Sequence, residues 1–438
     1  MINDKGFNFI IEQLHNNNYK AYAVGGAVRD SLLNKTCDDI DVTTSATPEQ
    51  IISVFEKNKK VLSGLKHGTV GVIVKGKLYE VTTFREDGEY KDNRHPESVK
   101  FVSDLKGDLS RRDFTINALA YNDKEGYIDL FGGKSDLENR LIKCVGNPDQ
   151  RFKEDALRLL RALRFSSQLG FTIEEQTSQA ILRNKDLLKG ISAERILVEL
   201  KKTLMGQNVA QVMLKYRQVF AVIIPELEPT FDFSQQSIYH RYDVYEHIVR
   251  SIERALPDEF IRLVLLFHDI GKPLCFSLDE RGRGHFYGHH AISVEIASKV
   301  LKRLKVDKNT YYNALKLIEL HDRVIKENKV AVKQVLREIG ERCFLNLLKV
   351  QTADALAHTV KASNTRRVHI RKIRELYREI KRNNECYSLK NLALNGDDIK
   401  SLGFSGERVG EILNQLLDAV IAGEPNQKNH LKGLIKYE

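Results

Sequence analysis

Two aspartates one residue apart, Asp39 and Asp41, are the first side chains whose types and spacing could do chemistry. On a β-strand, alternate residues share a face, so both carboxylates would point the same way while Ile40 points into the core. Carboxylates held this close repel each other unless a cation lies between them. Oxygen ligands of this kind suit Mg²⁺ that also holds substrate phosphates. The pair therefore indicates a magnesium-dependent phosphate site.

Glu80 offers a third carboxylate for the same site. Apolar residues alternate over 70–74, a glycine-containing turn follows at 75–77, and a second apolar stretch covers 78–84. This pattern predicts a β-hairpin with Glu80 in the middle of its second strand. Burying an unpaired carboxylate there would be unfavourable. We therefore expect Glu80 either to support the cations of the aspartate pair or to face solvent on an edge strand.

A glycine pair stands in front of the aspartates. The apolar run 21–24 indicates a strand that ends at Gly25 and Gly26, and residues 27–33 have the pattern of a helix. Glycines allow a tight turn whose N–H groups point at an anion, and the first helical turn would lie beside it. Arg29 can add a forked cationic contact. Strand, glycine pair, helix and Asp-x-Asp in this order favour metal-dependent nucleotidyl transfer.

Two polar segments follow the hairpin. Residues 85–97 are charged and without periodicity, which is typical of a disordered segment or a functional loop. The segment 108–119 predicts a helix with Asp108 or Ser110 as its cap and with residues 111–113, Arg-Arg-Asp, in its first turn. Cations at a helix N-terminus oppose the macrodipole. That local conflict indicates an anionic or hydroxyl-rich ligand.

Residues 151–165 predict one strong amphipathic helix. Its buried stripe consists of Ala156, Leu159, Leu160 and Leu163. The opposite face and its flanks carry the charged residues Glu154, Asp155, Arg158, Arg161 and Arg164.

Asp155 and Arg158 are i,i+3 neighbours and could hold each other's orientation. They form either an ordinary surface salt bridge or a pair whose acceptors and donors read the edge of a nucleobase. A second helix around 191–199 is expected to brace the first.

The bulk properties favour a polyanionic partner. The chain has 438 residues, a net charge of +10 and a pI of about 9.1, which suits nucleic acid and a division into roughly three domains. Five scattered cysteines without paired spacing indicate free thiols in a reducing compartment. No window is long enough to span a bilayer, so we expect a soluble cytoplasmic protein with no membrane partner.

Five motifs occur in order along residues 1–205. They are Gly25-Gly26-x-x-Arg29-Asp30, Asp39-x-Asp41, Arg111-Arg112-Asp113-Phe114-Thr115, Glu154-Asp155-x-x-Arg158 and Ser192-x-Glu194-Arg195. Together they closely resemble the bacterial CCA-adding enzymes, which are class II tRNA nucleotidyltransferases of the DNA polymerase beta-like superfamily and relatives of bacterial poly(A) polymerases.

The resemblance implies a role for each matching residue. Asp39 and Asp41 would bind two Mg²⁺ ions with support from Glu80, and the reaction would add C, C and A to tRNA 3′ ends from CTP and ATP. The nucleotide would contact Gly26, Arg29, Arg112, Asp113, Asp155, Arg158, Arg161 and Arg164. The loop 85–97 would match a flexible element required for the switch to ATP, and its full length disfavours an enzyme that adds only C.

Histidines dominate the region 236–345. The segment 240–247, which ends at His247, is expected to lie before a helix, and the apolar helical run 260–267 ends at His268-Asp269. Ending a buried helix on these groups is unfavourable unless they are paired or bind a metal. The pattern resembles an HD-type metal phosphohydrolase domain that holds a divalent metal of unknown identity. The resemblance implies His247, His268, Asp269 and Asp322 as a first metal set and His285 and His289 as a second, with His290 and His321 as further candidates.

The expected fold is α+β and predominantly helical, with a polymerase beta-like nucleotidyltransferase head that contains a small mixed sheet. The expected domains are the head at 1–144, a helical neck at 145–235, the HD region at 236–345 and a helical tail at 346–438. The basic segment 361–382 predicts a helix that either faces solvent or contacts tRNA phosphates, and such backbone contacts suit the acceptor stem and elbow.

Three alternatives remain open at this point. The motifs at Asp155 and Arg158 also fit an A-adding tRNA enzyme or a poly(A) polymerase. A function from another class is an HD phosphohydrolase that acts on nucleotides or on 2′,3′-cyclic phosphate ends and uses the head to bind RNA. A non-enzymatic tRNA-binding chaperone is disfavoured because the three carboxylates Asp39, Asp41 and Glu80 are all present.

Overall fold

The computed structural model of the chain describes residue 2 and residues 4–37, 39–88 and 99–436. These residues separate into two compact units, Met1–Pro225 and Glu226–Glu438. The first unit combines a mixed sheet with helices, and the second is almost entirely helical. The predicted fold class, an α+β and predominantly helical chain, is confirmed.

The strands of the first unit lie mostly in its first 130 residues. They are β1 (Ala21–Val24), β2 (Asp41–Thr44), β3 (Lys59–Val61), β4 (Thr69–Val74), β5 (Lys77–Thr83), β6 (Arg85–Asp87), β7 (Val99–Phe101), β8 (Leu119–Asn122), β9 (Gly126–Asp129), β10 (Leu141–Ile142) and β11 (Thr172–Ile173). The predicted strand at 21–24 and the predicted hairpin are both confirmed.

Among the described residues, seven of these strands form one sheet in the order β3-β4-β5-β2-β1-β8-β9. β2 and β5 run parallel with Val42 opposite Val81, and the other neighbours run antiparallel. All four residues of β1 are buried, which explains why this central strand is apolar on both faces. The sheet thus puts the strand of Asp41 directly beside the strand of Glu80.

The helices of the first unit pack against this sheet and continue beyond it. They are α1 (Lys5–Asn16), α2 (Gly26–Leu32), α3 (Pro48–Val54), α4 (Leu105–Ser110), α5 (Gly133–Glu138), α6 (Pro148–Glu154), α7 (Leu157–Leu169), α8 (Glu175–Asn184), α9 (Ala193–Leu204), α10 (Val209–Lys215) and α11 (Arg217–Ile223). Helix α7 packs along α9, so the second predicted helix does brace the first.

The second unit consists of longer helices and one short hairpin. Its elements are α12 (Val244–Arg254), α13 (Glu259–Phe267), β12 (Ser277–Leu278), β13 (Gly284–His285), α14 (His289–Arg303), α15 (Lys308–Leu320), α16 (Lys329–Leu356), α17 (Val360–Arg382), α18 (Gly396–Lys400), α19 (Glu407–Ala422) and α20 (Lys428–Gly433). Apolar residues from 386 to 435 form a separate core at the end of this unit.

The structure corrects three predictions about local elements. Helix α4 ends at Ser110, so residues 111–113 follow a helix C-terminus, where cations are favoured, rather than a helix N-terminus. The predicted helix 151–165 is broken, because Asp155 has an extended backbone between α6 and α7. In the predicted loop 85–97, residues 85–87 form β6 and pair with β7, and residues 89–97 lie outside the described residues.

Two predictions about chemistry and environment can be compared directly. All five cysteines are free, as their spacing predicted: Cys37, Cys144, Cys275, Cys343 and Cys386. Within the described part of the chain, no helix is both long enough and apolar enough to cross a bilayer.

Candidate functional sites

The predicted carboxylates lie on or next to two neighbouring strands, with Asp41 at the start of β2 and Glu80 in the middle of β5. β2 begins at Asp41, so Asp39 precedes the strand instead of lying on it as predicted. Glu80 precedes Val81 as Asp41 precedes Val42, and parallel pairing therefore puts both on one face of the sheet. Burial raises the pKa of Asp41 above its ordinary value; Arg112 opposes this rise, and Glu80 and Asp39 add to it. Asp41 thus lies within the field of both other carboxylates.

The three carboxylates do not form a tight group of ligand atoms. Among the described residues, the groups whose potential ligand atoms lie within 4.8 Å of one another are found in the second unit and do not include Asp39, Asp41 or Glu80. The like-charge repulsion felt by Asp41 is what a bound cation would relieve. The donor set, all carboxylate oxygens, fits Mg²⁺.

A cavity of about 690 Å³ opens beside these aspartates. Asp39 and Asp41 line it, whereas Glu80 is not among its lining residues. All predicted nucleotide-binding residues line it as well: Gly26, Arg29, Arg112, Asp113, Asp155, Arg158, Arg161 and Arg164. Arg111, Arg195 and Lys202 add further cations. A cavity with this excess of positive charge is suited to a polyanion such as a triphosphate.

The turn at Gly25 brings backbone and guanidinium together. Gly25 has φ +71° and precedes α2, a conformation that residues with a side chain rarely adopt. A Cβ atom at this position would lie 3.0 Å from Nη1 of Arg112. The glycine therefore leaves room for the Arg112 guanidinium at the mouth of the turn.

A chain of polar contacts joins Arg29 to Arg161. Nη1 of Arg29 donates to Oδ1 of Asn117 at 2.8 Å, and Nδ2 of Asn117 donates to Oδ1 of Asp113 at 3.0 Å. Nε of Arg161 donates to Oδ2 of Asp113 at 2.7 Å. Burial alone would raise the pKa of Asp113, but Arg161 and Asn117 bring it down to about 2. Asp113 is therefore a carboxylate that fixes a guanidinium of the cavity.

The predicted pairing of Asp155 with Arg158 is wrong. Oδ2 of Asp155 accepts from Nη2 of Arg195 at 2.9 Å, which connects the break after α6 to α9. Nη1 of Arg158 donates to Oε2 of Glu154 at 2.6 Å. The predicted geometry assumed a continuous helix, whereas Asp155 has an extended backbone and ends α6, so the i,i+3 relation within one helix does not hold. Both side chains still line the cavity.

Phe165 supports three guanidiniums in the cavity wall. The Cζ atoms of Arg29, Arg161 and Arg164 lie 5.0, 5.5 and 4.2 Å from the centre of its ring. Nη1 of Arg164 also donates to Oε1 of the buried Glu199 at 3.1 Å. A ring face stabilises cations near it, so Phe165 offsets part of the repulsion between these arginines.

The second unit contains a buried cluster of histidines and aspartates. His247, His268, Asp269 and Asp354 each offer a ligand atom, and these atoms lie within 4.8 Å of one another. Nε2 of His247 lies 2.9 Å from Oδ1 of Asp354 and 3.2 Å from Oδ2 of Asp269. Buried imidazole and carboxylate groups in one place are typical of a divalent-metal site.

A second group shares Asp269 with the first. Asp269, His289 and His321 also bring ligand atoms within 4.8 Å. Oδ1 of Asp269 lies 3.4 Å from Nε2 of His289 and 3.5 Å from Nε2 of His321, while Oδ2 faces His247 and His268. The two oxygens of Asp269 thus point into the two groups, as in a carboxylate that bridges two cations.

Two predicted metal ligands lie outside these groups. Asp322 is exposed and contacts Nη2 of Arg366 at 3.3 Å, because the residue before it, His321, is the one that points inward. His285 lies on β13 with its Nε2 3.2 Å from Oδ2 of Asp279. In the structure, Asp354 belongs to the first group in place of Asp322, and His321 belongs to the second group in place of His285.

Two cations face the carboxylates of the cluster. Nζ of Lys272 lies 2.7 Å from Oδ2 of Asp269, and Nη2 of Arg366 lies 2.9 Å from Oδ2 of Asp354. Burial alone would raise the pKa of Asp269, but His268 and Lys272 bring it well below its ordinary value. A cavity of about 490 Å³ opens over this cluster, and His240 and His358 line it too.

Three family models match the chain in order. Residues 21–143 match the "Poly A polymerase head domain", and residues 170–231 match the "Probable RNA and SrmB- binding site of polymerase A". Residues 287–435 match the tRNA nucleotidyltransferase domain 2 model.

A full-length relative decides the family. The CCA-adding enzyme of Staphylococcus saprophyticus is 34% identical over 431 residues, which cover 98% of this chain and 96% of the relative. The chain belongs to the CCA-adding enzyme family. The predicted resemblance is thereby confirmed.

Other CCA-adding enzymes match more strongly over a shorter stretch. The enzyme of Geobacillus kaustophilus is 52% identical over 204 residues. That match covers 47% of this chain, and it spans only about half, 50%, of the relative's length.

Solved CCA-adding enzymes share the fold. The crystal structure of the Bacillus stearothermophilus CCA-adding enzyme in complex with CTP is 30% identical with a TM-score of 0.70, and 97% of this chain and 94% of that chain are covered. The Thermotoga maritima CCA-adding enzyme complexed with tRNA_CCA is 21% identical with a TM-score of 0.60, covering 98% and 93%. The latter likeness concerns the fold alone.

Sequence reasoning missed several side chains that contribute to the two sites of this member of the CCA-adding enzyme family. Asn117 and Glu199 each fix a predicted arginine, and Phe165 was assigned to no role. Asp354 had a readable signal, since it lies between Ala353 and Ala355 on a buried stretch of α16, where a carboxylate needs a partner. Asn117 and Glu199 lie in the segments 108–119 and 191–199, which were singled out for other residues. The spacing of residues gave no reason to select these two side chains.

Proposed function

We propose that this chain adds C, C and A to the 3′ ends of tRNA without a template, using CTP and ATP and releasing pyrophosphate. The observation that carries the proposal is the single cavity in which Asp39 and Asp41 face the guanidiniums and the Asp155 and Arg158 side chains. The side chains proposed as metal ligands, as phosphate contacts and as readers of the base therefore line one cavity, apart from Glu80. The relatives named CCA-adding enzyme support the same activity.

The transfer site would be formed by Asp39, Asp41 and Glu80. Two Mg²⁺ ions bound there would supply activation of the RNA 3′-hydroxyl and neutralisation of the triphosphate. The hydroxyl oxygen attacks the α-phosphorus in line, and the bond to the β-phosphate oxygen breaks. Gly26 and Arg29 would contact the phosphates, in agreement with their location in the cavity wall.

Selection of the nucleotide would depend on groups of the neck. Asp155 offers acceptors and Arg158 offers donors, a combination that can match a base edge. Arg158 donates to Glu154 and to the carbonyl oxygens of Arg151 and Arg111, and these contacts hold its guanidinium in the cavity wall. Arg112 and Asp113 would lie near the ribose, and Arg161 and Arg164 would complete the pocket.

The RNA partner would be tRNA, contacted at its acceptor stem and elbow. The exposed cations of α17 suit RNA phosphates: Lys361, Arg367, Arg371, Lys372, Arg378, Lys381 and Arg382. The division into a head at 1–144, a neck at 145–235, an HD region at 236–345 and a tail at 346–438 stays a prediction, as does a cytoplasmic location without a membrane partner.

The deciding experiment supplies one nucleotide at a time. Purified chain is incubated with tRNA that lacks its CCA end and with labelled CTP or labelled ATP. We expect incorporation of CTP into this substrate and of ATP into tRNA that already ends in CC. Failure to incorporate CTP would overturn the proposal in favour of an A-adding tRNA enzyme or a poly(A) polymerase.

Substitutions separate the two units. Asp39→Ala and Asp41→Ala should each lower incorporation by at least about a thousandfold, since the metal ligands act on the reacting atoms. His268→Ala should leave incorporation unchanged. If the aspartate variants kept their activity while His268→Ala lost it, the principal activity would belong to the second unit.

A second function is proposed for the cluster around Asp269, which we assign to an HD-type domain. The observation that favours it is the pair of buried ligand groups that share this residue. Bound divalent metals would supply a nucleophilic hydroxide and polarise a phosphate ester. The cavity above the cluster and the cations Lys272 and Arg366 suit a phosphorylated substrate such as a nucleotide or a 2′,3′-cyclic phosphate end.

The metal is tested separately from the hydrolysis. Chain purified with Mn²⁺ should hold bound metal by elemental analysis, and His268→Ala should lower its content. His430→Ala is the matched control, because His430 is partly exposed and contacts Glu424 outside the cluster. Release of phosphate or ring opening of a 2′,3′-cyclic nucleotide then tests the activity, and unchanged metal content in His268→Ala would overturn the site.

A further inference from the structure

Asp108 is the most completely buried carboxylate near the nucleotide cavity. Its exposed fraction is 0%, and it lies near the end of α4. Oδ1 accepts from Nε and Nη2 of Arg111 at 3.0 and 2.8 Å. Oδ2 accepts from Oγ1 of Thr43 at 3.2 Å and from Nη2 of Arg112 at 3.4 Å. One carboxylate therefore ties together two consecutive arginines and a strand residue.

Stability alone gives little reason for such an arrangement. Removing a carboxylate from water is unfavourable, and buried ion pairs can often be replaced by apolar residues at no loss of stability. The charge of Asp108 is balanced by Arg111 and Arg112, which keep its pKa below the ordinary value although burial alone would raise it. The geometry of the two arginines is what this carboxylate determines.

Each partner of Asp108 leads to a different part of the cavity. Thr43 lies on β2, two residues after Asp41. The Arg112 guanidinium lies at the Gly25 turn and lowers the pKa of Asp41. The carbonyl oxygen of Arg111 accepts from Nη2 of Arg158 at 2.9 Å. The segment 108–112 thus connects the carboxylate strand to the side chain proposed to read the base.

We propose that Asp108 is a positioning residue of the transfer site, which sets the Arg111–Arg112 segment so that Arg112 and Arg158 keep a fixed relation to Asp41. Asp108 acts through these arginines and does not touch the nucleotide. The inference rests on the proposed function. It extends that function, because Asp108 would influence which nucleotide binds although it does not line the cavity.

The test replaces the carboxylate by an amide of the same shape. Binding of CTP and of UTP in Mg²⁺ is measured by titration calorimetry for the full chain and for Asp108→Asn. We expect about tenfold weaker binding of CTP and a several-fold lower preference for CTP over UTP. A purely structural role would lower the melting temperature and leave the preference of the folded protein unchanged.

The control removes a comparable carboxylate away from the cavity. Asp4 begins α1 and contacts Nζ of Lys77 and the hydroxyl of Tyr79 at 2.9 and 2.6 Å. Asp4→Asn keeps a side chain that favours a helix N-terminus, and we expect it to bind both nucleotides like the unaltered chain.

The possible outcomes are distinct. If the unaltered chain binds neither nucleotide, the proposed function fails. If it binds CTP and Asp108→Asn shows either unchanged affinities or an equal loss for CTP and UTP, the role of Asp108 is overturned while the function stands. Should Asp108→Asn not fold, Thr43→Val keeps the carboxylate and both arginines, and we expect about threefold weaker CTP binding with a lower preference. Unchanged values for Thr43→Val would then overturn the proposal.

Discussion

At the scale of single residues, Asp113 should leave a signature in the pH dependence of stability. Its pKa is about 2 in the folded chain and ordinarily about 3.8, since Arg161 and Asn117 outweigh its burial. A lowered folded pKa stabilises the fold above the unfolded pKa, and this contribution is lost as the pH falls from about 4 to about 2. This difference of a little under two pKa units corresponds to about 2 kcal/mol.

Asp113→Asn should therefore lower the free energy of unfolding at pH 7 by about 2 kcal/mol, and the difference from the unaltered chain should shrink towards pH 2. Denaturant unfolding at several pH values measures this difference. Asp149→Asn is the control, because Asp149 pairs with Arg183 on the surface and such pairs contribute little. A difference for Asp113→Asn that stays constant with pH would contradict the assignment.

The sequence predicted which residues line the cavity beside Asp39 and Asp41 better than it predicted their hydrogen-bond partners. Asp41 and Arg112 were identified because they stand in ordered motifs, and both line the cavity. The partner of Asp155, Arg195, lies 40 positions further on and was predicted only to brace a helix. In the second unit the resemblance to an HD-type domain implied Asp322, whereas the buried carboxylate of the cluster is Asp354. Burial decides between them, and burial follows from packing that a single sequence does not show.

At the scale of elements, the break between α6 and α7 shows the limit of periodicity. The predicted buried stripe Ala156, Leu159, Leu160 and Leu163 is confirmed. The stripe begins after the break, so it carries no information about whether the helix continues before it. Asp155 ends α6, and its Oδ1 accepts from the N–H of Leu157 at 3.0 Å, which favours a new helix start. An aspartate that reads as a surface residue thus acts as a local helix boundary.

Gly340 gives a second element-scale prediction. It interrupts the long helix α16 with φ +74° and ψ 159°, a region that is essentially restricted to glycine. No neighbouring atom would meet a Cβ at this position, so the strain arises from the backbone alone. We expect Gly340→Ala to lower the free energy of unfolding of the second unit by about 1–3 kcal/mol, measured by denaturant unfolding.

The matched control is Gly410 in the interior of α19. It has room for a Cβ and no positive φ, so Gly410→Ala should stabilise the chain by about 0.5–1 kcal/mol through better helix propensity. If Gly340→Ala were as stabilising as Gly410→Ala, the interruption of α16 would be absent in solution.

Helix α17 provides a further test at this scale. Arg371 and Lys372 are exposed on it, and proposed phosphate contacts of this kind respond to salt. Arg371→Ala with Lys372→Ala should weaken tRNA binding and lower the slope of log affinity against log salt by about one per contact. Lys299→Ala with Lys302→Ala removes equal charge from α14 and should leave the slope unchanged. Equal effects of both pairs would indicate only a general effect of net charge.

At the scale of the whole molecule, the predicted division into head, neck, HD region and tail stays a prediction. Family models match residues 21–143, 170–231 and 287–435, and the last match covers parts of both the predicted HD region and the predicted tail. The compact units instead divide the chain at Pro225. Composition and motifs change several times along the chain, but the division into compact units depends on long-range packing that no local pattern records.

Two units with two sites should respond to two different ligands. A ligand that binds only the folded state stabilises it in proportion to its concentration over its dissociation constant. CTP with Mg²⁺ should therefore slow amide hydrogen exchange in the first unit, and Mn²⁺ should slow exchange around His268 and Asp354 in the second. Exchange is read by mass spectrometry of peptides from the intact chain.

Because each response needs its own ligands, Asp41→Ala should abolish only the CTP response, and His268→Ala only the Mn²⁺ response in the second unit. Loss of the CTP response in His268→Ala would contradict two independent sites, since no ligand atom proposed for CTP belongs to the cluster around Asp269.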